Sequence, residues 1–166
     1  MSKNLFQRIG NRWLHLLARL LPGGTTLRPA LHRLRGVKIG RDVFIGEEVF
    51  IESEYPENVE IQDGVFVGIR VVFIAHTRGT GKIVIGKNAY LGPNAMLITS
   101  SDRTLTIGEG AVIGAGVVVG SDVAPQMFVP SQPARAVARA TVPMVTAEKM
   151  EDFIRGLVPL KPKKPS

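Results

Sequence analysis

From Val37 onward the chain carries aliphatic–glycine pairs at a spacing that few folds accept. Ile39-Gly40, Ile45-Gly46, Val67-Gly68, Ile85-Gly86, Leu91-Gly92, Ile107-Gly108, Ile113-Gly114 and Val119-Gly120 all fall on a lattice of six. Filling the gaps gives thirteen hexads, starting at residues 39, 45, 51, 61, 67, 73, 79, 85, 91, 97, 107, 113 and 119. The steps from 51 to 61 and from 97 to 107 are ten residues long, so each reads as a four-residue insertion. Within a hexad the first residue is aliphatic, except at Phe73 and Gly79, and the fifth is mostly small or β-branched, as in Val43, Val65, Ala89 and Ala111. The fourth is enriched in Gly, Asn and Asp, including Asp42, Asn88, Asn94, Gly116 and Asp122. Those residue types tolerate left-handed backbone at a corner, while β-branched residues favour the strand between corners. Alternation points the first and fifth positions to one side. Such a period predicts stacked coils around a shared core, a solenoid, because hairpins in a sandwich do not repeat at six residues.

Outside the repeat the chain divides into a basic N-terminal segment (1–36), the repeat and its exit loop (37–139) and a C-terminal piece (140–166). The first segment holds seven Lys or Arg and no acid, whereas bases and acids balance in the remainder. The net charge of +7 is therefore an N-terminal feature, suited to an anionic membrane surface, nucleic acid or cofactor. Residues 4–21, NLFQRIGNRWLHLLARLL, read as a helix with Leu5, Ile9, Trp13, Leu16, Leu17 and Leu20 in an apolar stripe, stopped by Pro22-Gly23-Gly24. Two fates fit it: lying on a membrane interface, or packing on the solenoid or a neighbouring subunit. His15 and His32 read as surface or packing residues. Thr146 is placed to cap a short C-terminal helix carrying Met150, Phe153, Ile154 and Leu157. No run is long enough for a membrane span, no signal peptide is evident and cysteine is absent. The expected location is cytoplasmic, at the inner face of the membrane if the helix is interfacial. Base-stacking aromatics are sparse, so no nucleic-acid partner is expected. A lone histidine in the repeat cannot assemble a metal site.

Tandem [LIV]-G-x-x-[small]-x hexads resemble the left-handed parallel β-helix of the hexapeptide acyltransferases. The stretch IGEGAVIGAGVVVGSDVAPQMFVPSQPARAVAR, residues 107–139, is similar to that family's terminal coils and exit loop. AHTRGTGKIVIG, with its histidine nine residues before Ile85-Gly86, resembles the His-containing stretch of serine acetyltransferases and sugar O-acetyltransferases. The resemblance implies three hexads per triangular coil, a homotrimer with sites between neighbouring β-helices, and acetyl-coenzyme A as co-substrate. It also implies that His76 is the general base, a role suited to imidazole, which titrates near neutrality. It carries coenzyme contacts onto Gly92, Ala115, Arg135 and Arg139.

Stacking hexads three apart places those starting at 51, 73, 91 and 113 in one column. The corner residues of that column are Glu54, His76, Asn94 and Gly116. Glu54 is then the first candidate to hold the imidazole or contact the acceptor, with Glu52 the second and Asn94 a further acceptor contact. The implied activity is O-acetylation of a sugar hydroxyl in polysaccharide or lipopolysaccharide assembly. The alternatives are N-acetylation of a nucleotide-linked amino sugar and a non-catalytic β-helical scaffold.

Overall fold

The structure, a computed structural model, describes residues 5–76, 81–100, 102–132, 138–146 and 148–160. It comprises two compact units, Met1–Ser131 and Gln132–Ser166. The first opens with α1 (Leu5–Leu20) and α2 (Leu27–Leu34) and then winds into coils. Coil one holds β1 (Lys38–Ile39), β2 (Phe44–Ile45) and β3 (Phe50–Ile51). A short 3-10 turn, Pro56–Asn58, leads to coil two: β4 (Val59–Ile61), β5 (Phe66–Val67) and β6 (Val72–Ile74). Coil three holds β7 (Lys82–Ile85), β8 (Tyr90–Leu91) and β9 (Met96–Ile98). Coil four holds β10 (Thr104–Ile107), β11 (Val112–Ile113) and β12 (Val118–Val119), and β13 (Phe128–Val129) begins a fifth.

Each strand pairs in parallel with the equivalent strand of the next coil, giving three flat faces. Face A is β1-β4-β7-β10, face B is β2-β5-β8-β11-β13, and face C is β3-β6-β9-β12. The first residue of each hexad points inward, and Ile45, Val67, Leu91 and Ile113 form one fully buried ladder. The glycine that follows is a packing requirement. A Cβ on Gly46, Gly68 or Gly92 would lie 2.7 to 2.8 Å from backbone atoms of the coil above. Face C departs from this rule, with Glu52, Ile74 and Ile98 at the second position. Its one glycine there, Gly120, has nothing closer to an added Cβ than the Ile98 carbonyl at 4.0 Å.

The corners between faces A and B and between B and C are tight. Asp42, Asn88 and Asn94 adopt positive φ there, and so do Glu48 and Arg70, which composition did not suggest. Asp122 is not in that conformation; its carboxylate instead accepts from the Thr106 amide. At the third corner, from C back to A, each coil departs from the period of six. Coil one adds four residues there and coil three another four, as the spacing indicates. Coil two adds six: Phe73 stacks under Leu97, and the next face A strand ends at Ile85. The hexad assigned at residue 79 therefore has no place of its own in the stack: its residues 82–84 belong to β7, and the Gly81 amide donates to the Ala75 carbonyl at 2.7 Å. A six-residue insertion leaves a six-residue period intact, so the pattern could not reveal it. The column through His76 consequently starts at residues 51, 73, 97 and 119, and Asn94 and Gly116 belong to the corner between B and C.

The arginines of the basic segment close the open end of the solenoid. In every later coil the inward-pointing residue's carbonyl accepts an amide from the coil below, as Ile61 does from Gly40, Val67 from Gly46 and Phe73 from Glu52. Coil one has no coil below it. Arg33 donates to the Ile39 carbonyl at 3.1 Å, Arg28 to Ile45 at 3.1 Å and Arg35 to Ile51 at 2.9 Å. Three guanidinium groups thus replace the missing row of amides, which a buried edge requires. With Arg8 paired to Glu54, most of the segment's charge is used in structure.

Helix α1 packs on the solenoid through its narrower, more polar face. Asn11 donates to the Ser53 carbonyl at 2.8 Å, His15 meets Ser53 Oγ at 3.2 Å and the Phe50 ring at 4.9 Å, and Ala18 is buried. The stripe residues Ile9, Trp13, Leu16, Leu17 and Leu20 remain 41% to 68% exposed. Helix–solenoid packing is realised, but not by the apolar face. Among the described residues no helix is long and apolar enough to cross a membrane.

In the second unit β14 (Ala138–Ala140) pairs antiparallel with β15 (Leu157–Pro159), joined through α3 (Met150–Arg155). Lys149 rather than Thr146 occupies the N-cap of α3, and Leu157 lies in the strand.

Candidate active site

His76 stands where face C ends and the six-residue insertion begins, with its side chain 44% exposed. Directly beneath it, coil one turns into its own insertion. Glu52 sits at the second position of its hexad, where coils one to four place glycine on faces A and B except at Gln62. The Glu52 side chain is fully buried.

That carboxylate organises three donors. Oε1 accepts the Glu54 amide at 2.9 Å, and Oε2 accepts the Ala75 amide at 3.2 Å and pairs with His76 Nδ1. A group that accepts two backbone N–H bonds is acting as an acceptor towards the ring as well. Nδ1 therefore carries the proton, and Nε2 keeps its lone pair for a proton outside the protein. The dyad is formed by Glu52 and His76. Glu54, one corner position further on, directs its carboxylate to Arg8 at 3.1 Å. The Tyr55 ring stands edge-on to the imidazole, with centroids 6.3 Å apart. Tyr55 lies in an insertion, where hexad logic gives no signal.

The support for Glu52 reaches back to α2. Arg35 donates to the carbonyls of both Ile51 and Glu52, at 2.9 and 2.8 Å, and to Asn11 Oδ1 at 2.9 Å. Its other amino group meets His32 Nδ1 at 2.9 Å. Burial pulls the Arg35 guanidinium down to about 10, while the nearby Glu52 opposes the shift. The same burial, followed by the Arg35 charge, holds His15 and His32 at about 3. Both imidazoles are therefore neutral near pH 7 and unsuited to reversible protonation there.

Three of the remaining sequence candidates, Gly92, Asn94 and Ala115, share the corner between B and C in coils three and four. Asn94 is exposed at the corner between B and C, with its amide bonded to the Ile69 carbonyl. The Gly92 amide donates to the Ile113 carbonyl at 2.8 Å and is thus engaged in the coil stack. Ala115 is exposed at that same corner. Arg139 is exposed on β14 of the second unit, and Arg135 lies outside the described residues. Among the described residues no group of three or more His, Asp or Glu could hold a metal ion.

No protein-family model matches the chain, and no curated protein matches it. Solved structures do. A hexapeptide-repeat-containing acetyltransferase from Vibrio cholerae is similar over 78% of this chain and 88% of its own, at 23% identity and a TM-score of 0.52. A structure of that protein from Vibrio cholerae O1 biovar eltor, complexed with acetyl coenzyme A, is similar over 78% of this chain and 85% of its own, at 18% identity and a TM-score of 0.50. A soybean serine acetyltransferase apoenzyme is 26% identical over 78% of this chain and 55% of its own, with a TM-score of 0.49. The fold shared with the Vibrio protein is the left-handed parallel β-helix of hexapeptide repeats.

Proposed function

We propose that the chain is an acetyl-coenzyme A-dependent O-acetyltransferase acting on a sugar hydroxyl, with His76 as the general base. The observation that carries this reading is the dyad itself: a buried carboxylate fixing Nδ1 of a half-exposed imidazole at the loop-bearing corner. The likeness in fold to a protein crystallised with acetyl coenzyme A supports the choice of co-substrate.

In the proposed reaction Nε2 removes the proton of an acceptor hydroxyl as its oxygen attacks the thioester carbonyl. The tetrahedral intermediate collapses with cleavage of the carbon–sulfur bond. The departing thiolate takes the proton from the imidazolium, leaving an acetyl ester and free coenzyme A. Glu52 holds the ring and stabilises its transient positive charge, the task of a carboxylate partner in such dyads.

An exposed corner needs an opposing wall to position two substrates, and His76 lines neither the cavity beside α1 nor the shallow one on face A. A second copy of the chain can supply that wall, so the proposed assembly is a homotrimer with sites between copies. Face B offers an apolar surface for association, where Phe44, Phe66 and Tyr90 stack with centroids 4.5 and 5.1 Å apart. The proposed setting is polysaccharide or lipopolysaccharide assembly at the inner face of the membrane.

The test is coenzyme release from acetyl-coenzyme A with a panel of sugars, run beside a coenzyme titration and light scattering. His76→Ala should lower turnover about a hundredfold or more while leaving folding and coenzyme affinity intact. Near-normal turnover in that folded variant would overturn the mechanism, and a stable monomer would remove the shared site.

A further inference from the structure

Between α1 and the first coil lies an open cavity of about 520 Å³. Its walls are apolar: Ile9, Trp13 and Leu16 from the exposed side of the helix and Phe50 from face C. Among the described residues its charged groups are Arg12 and Arg19, and no acid lines it. Among the described residues neither arginine has an ion-pair partner, in contrast to Arg8 and Arg28, which are paired to Glu54 and Glu47. His15 also lines the cavity, and it is 5% exposed. Among the described residues its Nε2 and the Nε of Arg19 have no hydrogen-bond partner. Unpartnered buried polar atoms are uncommon in folded proteins and call for an explanation.

Two chemistries meet in this cavity. The apolar walls suit a hydrocarbon chain, and two guanidinium groups without a carboxylate partner among the described residues suit a phosphate, whose oxygens match the guanidinium fork. We infer that the cavity binds a single phosphate-headed lipid, with its chain along Ile9, Trp13, Leu16 and Phe50 and its head group against Arg12 and Arg19. A planar membrane surface is a poorer fit, since four of the segment's arginines are engaged in the cap or with Glu54 and cannot contribute to a broad basic patch.

The position of the cavity gives it a consequence for the proposed reaction. Ser53, which bonds His15 and lines the cavity, directly follows Glu52 of the dyad. A lipid-phosphate carrier held there would present an attached sugar close to His76. That extension rests on the acetyl-transfer reading, whereas lipid binding does not.

The chain supplies its own reporter, because Trp13 is its single tryptophan and is 63% exposed. The full-length protein is titrated, without acetyl-coenzyme A, with dodecyl phosphate below its micelle concentration, with dodecyl maltoside and with inorganic phosphate. Dodecyl phosphate should give a saturable blue shift of Trp13 emission. Dodecyl maltoside should bind at least tenfold more weakly, and inorganic phosphate should give no shift. An Arg12→Gln, Arg19→Gln variant should weaken dodecyl phosphate binding at least tenfold. If that variant does not fold, Arg12→Gln alone alters an exposed side chain and should weaken binding at least threefold. Equal affinity for the two detergents, or unchanged affinity in the arginine variants, would overturn the inference. So would a Trp13 shift that follows protein concentration instead of ligand, which would assign the cavity to a second copy. Failure of dodecyl phosphate to bind leaves the dyad reading standing, and failure of acetyl-coenzyme A to bind leaves this one standing.

Discussion

Glu52→Gln isolates the charge of the dyad with almost no change in shape. The wild-type carboxylate presents two acceptor atoms to three donors: the Glu54 amide on one oxygen, the Ala75 amide and His76 Nδ1 on the other. A glutamine retains only one acceptor. If its carbonyl faces Ala75 and His76, its NH₂ confronts the Glu54 amide and one buried hydrogen bond is lost. If it turns over, the NH₂ faces both the Ala75 amide and Nδ1. The ring then protonates on Nε2, and the base is removed. Leaving one buried donor unsatisfied costs about 1–3 kcal/mol. For a chain of this size a loss of about 2 kcal/mol lowers Tm by about 4–8 °C. Turnover should fall more steeply than stability, by about 10²-fold or more, because either orientation removes the charge that stabilises the imidazolium. The assay pairs coenzyme release with a melting curve and a double-mutant cycle against His76→Ala. Two members of one proton-transfer unit should give strongly non-additive losses. Additive losses, or wild-type turnover in folded Glu52→Gln, would refute the argument that this carboxylate acts through His76.

Gly92→Ala should destabilise by about 1–3 kcal/mol or more, since its Cβ would meet the Ala115 backbone nitrogen at 2.7 Å, whereas Gly120→Ala should stay within about 0.5 kcal/mol; chemical denaturation checks both, and equal effects would contradict the close approach of the coils on face B. Arg28→Met leaves the carbonyls of Leu21 and Ile45 unpaired and should cost about 3 kcal/mol by the same measurement, without altering coenzyme affinity. His15 and His32 are held at about 3 by burial, whereas unfolded imidazoles titrate near 6.5. From pH 6.5 down to about 4.5 the unfolded chain therefore binds protons that the folded chain does not, and stability should fall as pH falls. The limiting slope is about 1.4 kcal/mol per pH unit for each imidazole, and urea midpoints that stay level or rise across that interval would refute it.

The period of six determined the architecture without help from tertiary structure. An aliphatic residue followed by glycine every six positions is compatible with stacked parallel coils because the glycine marks where one coil's backbone touches the next. Asp42, Asn88 and Asn94 likewise identified tight corners from their own conformational tolerance. Periodicity is silent wherever a residue's role depends on what lies across the chain from it. The insertion of coil two kept the rhythm while shifting the register, so Asn94 was assigned to a column it does not occupy. Glu54 sits at the corner position that stacking favours, yet Glu52 holds His76. The decisive factor is that the Ala75 amide and the imidazole of the next coil both meet the Glu52 carboxylate, a juxtaposition with no counterpart in a one-dimensional pattern. The hydrophobic stripe of α1 announced an amphipathic helix but could not say which side meets the solenoid. Ser53 decided that, because the polar side carries Asn11 and His15, which meet its carbonyl and its hydroxyl. Sequence specifies local geometry through sterics and polarity. Partners for buried polar groups exist only once distant segments have been folded together.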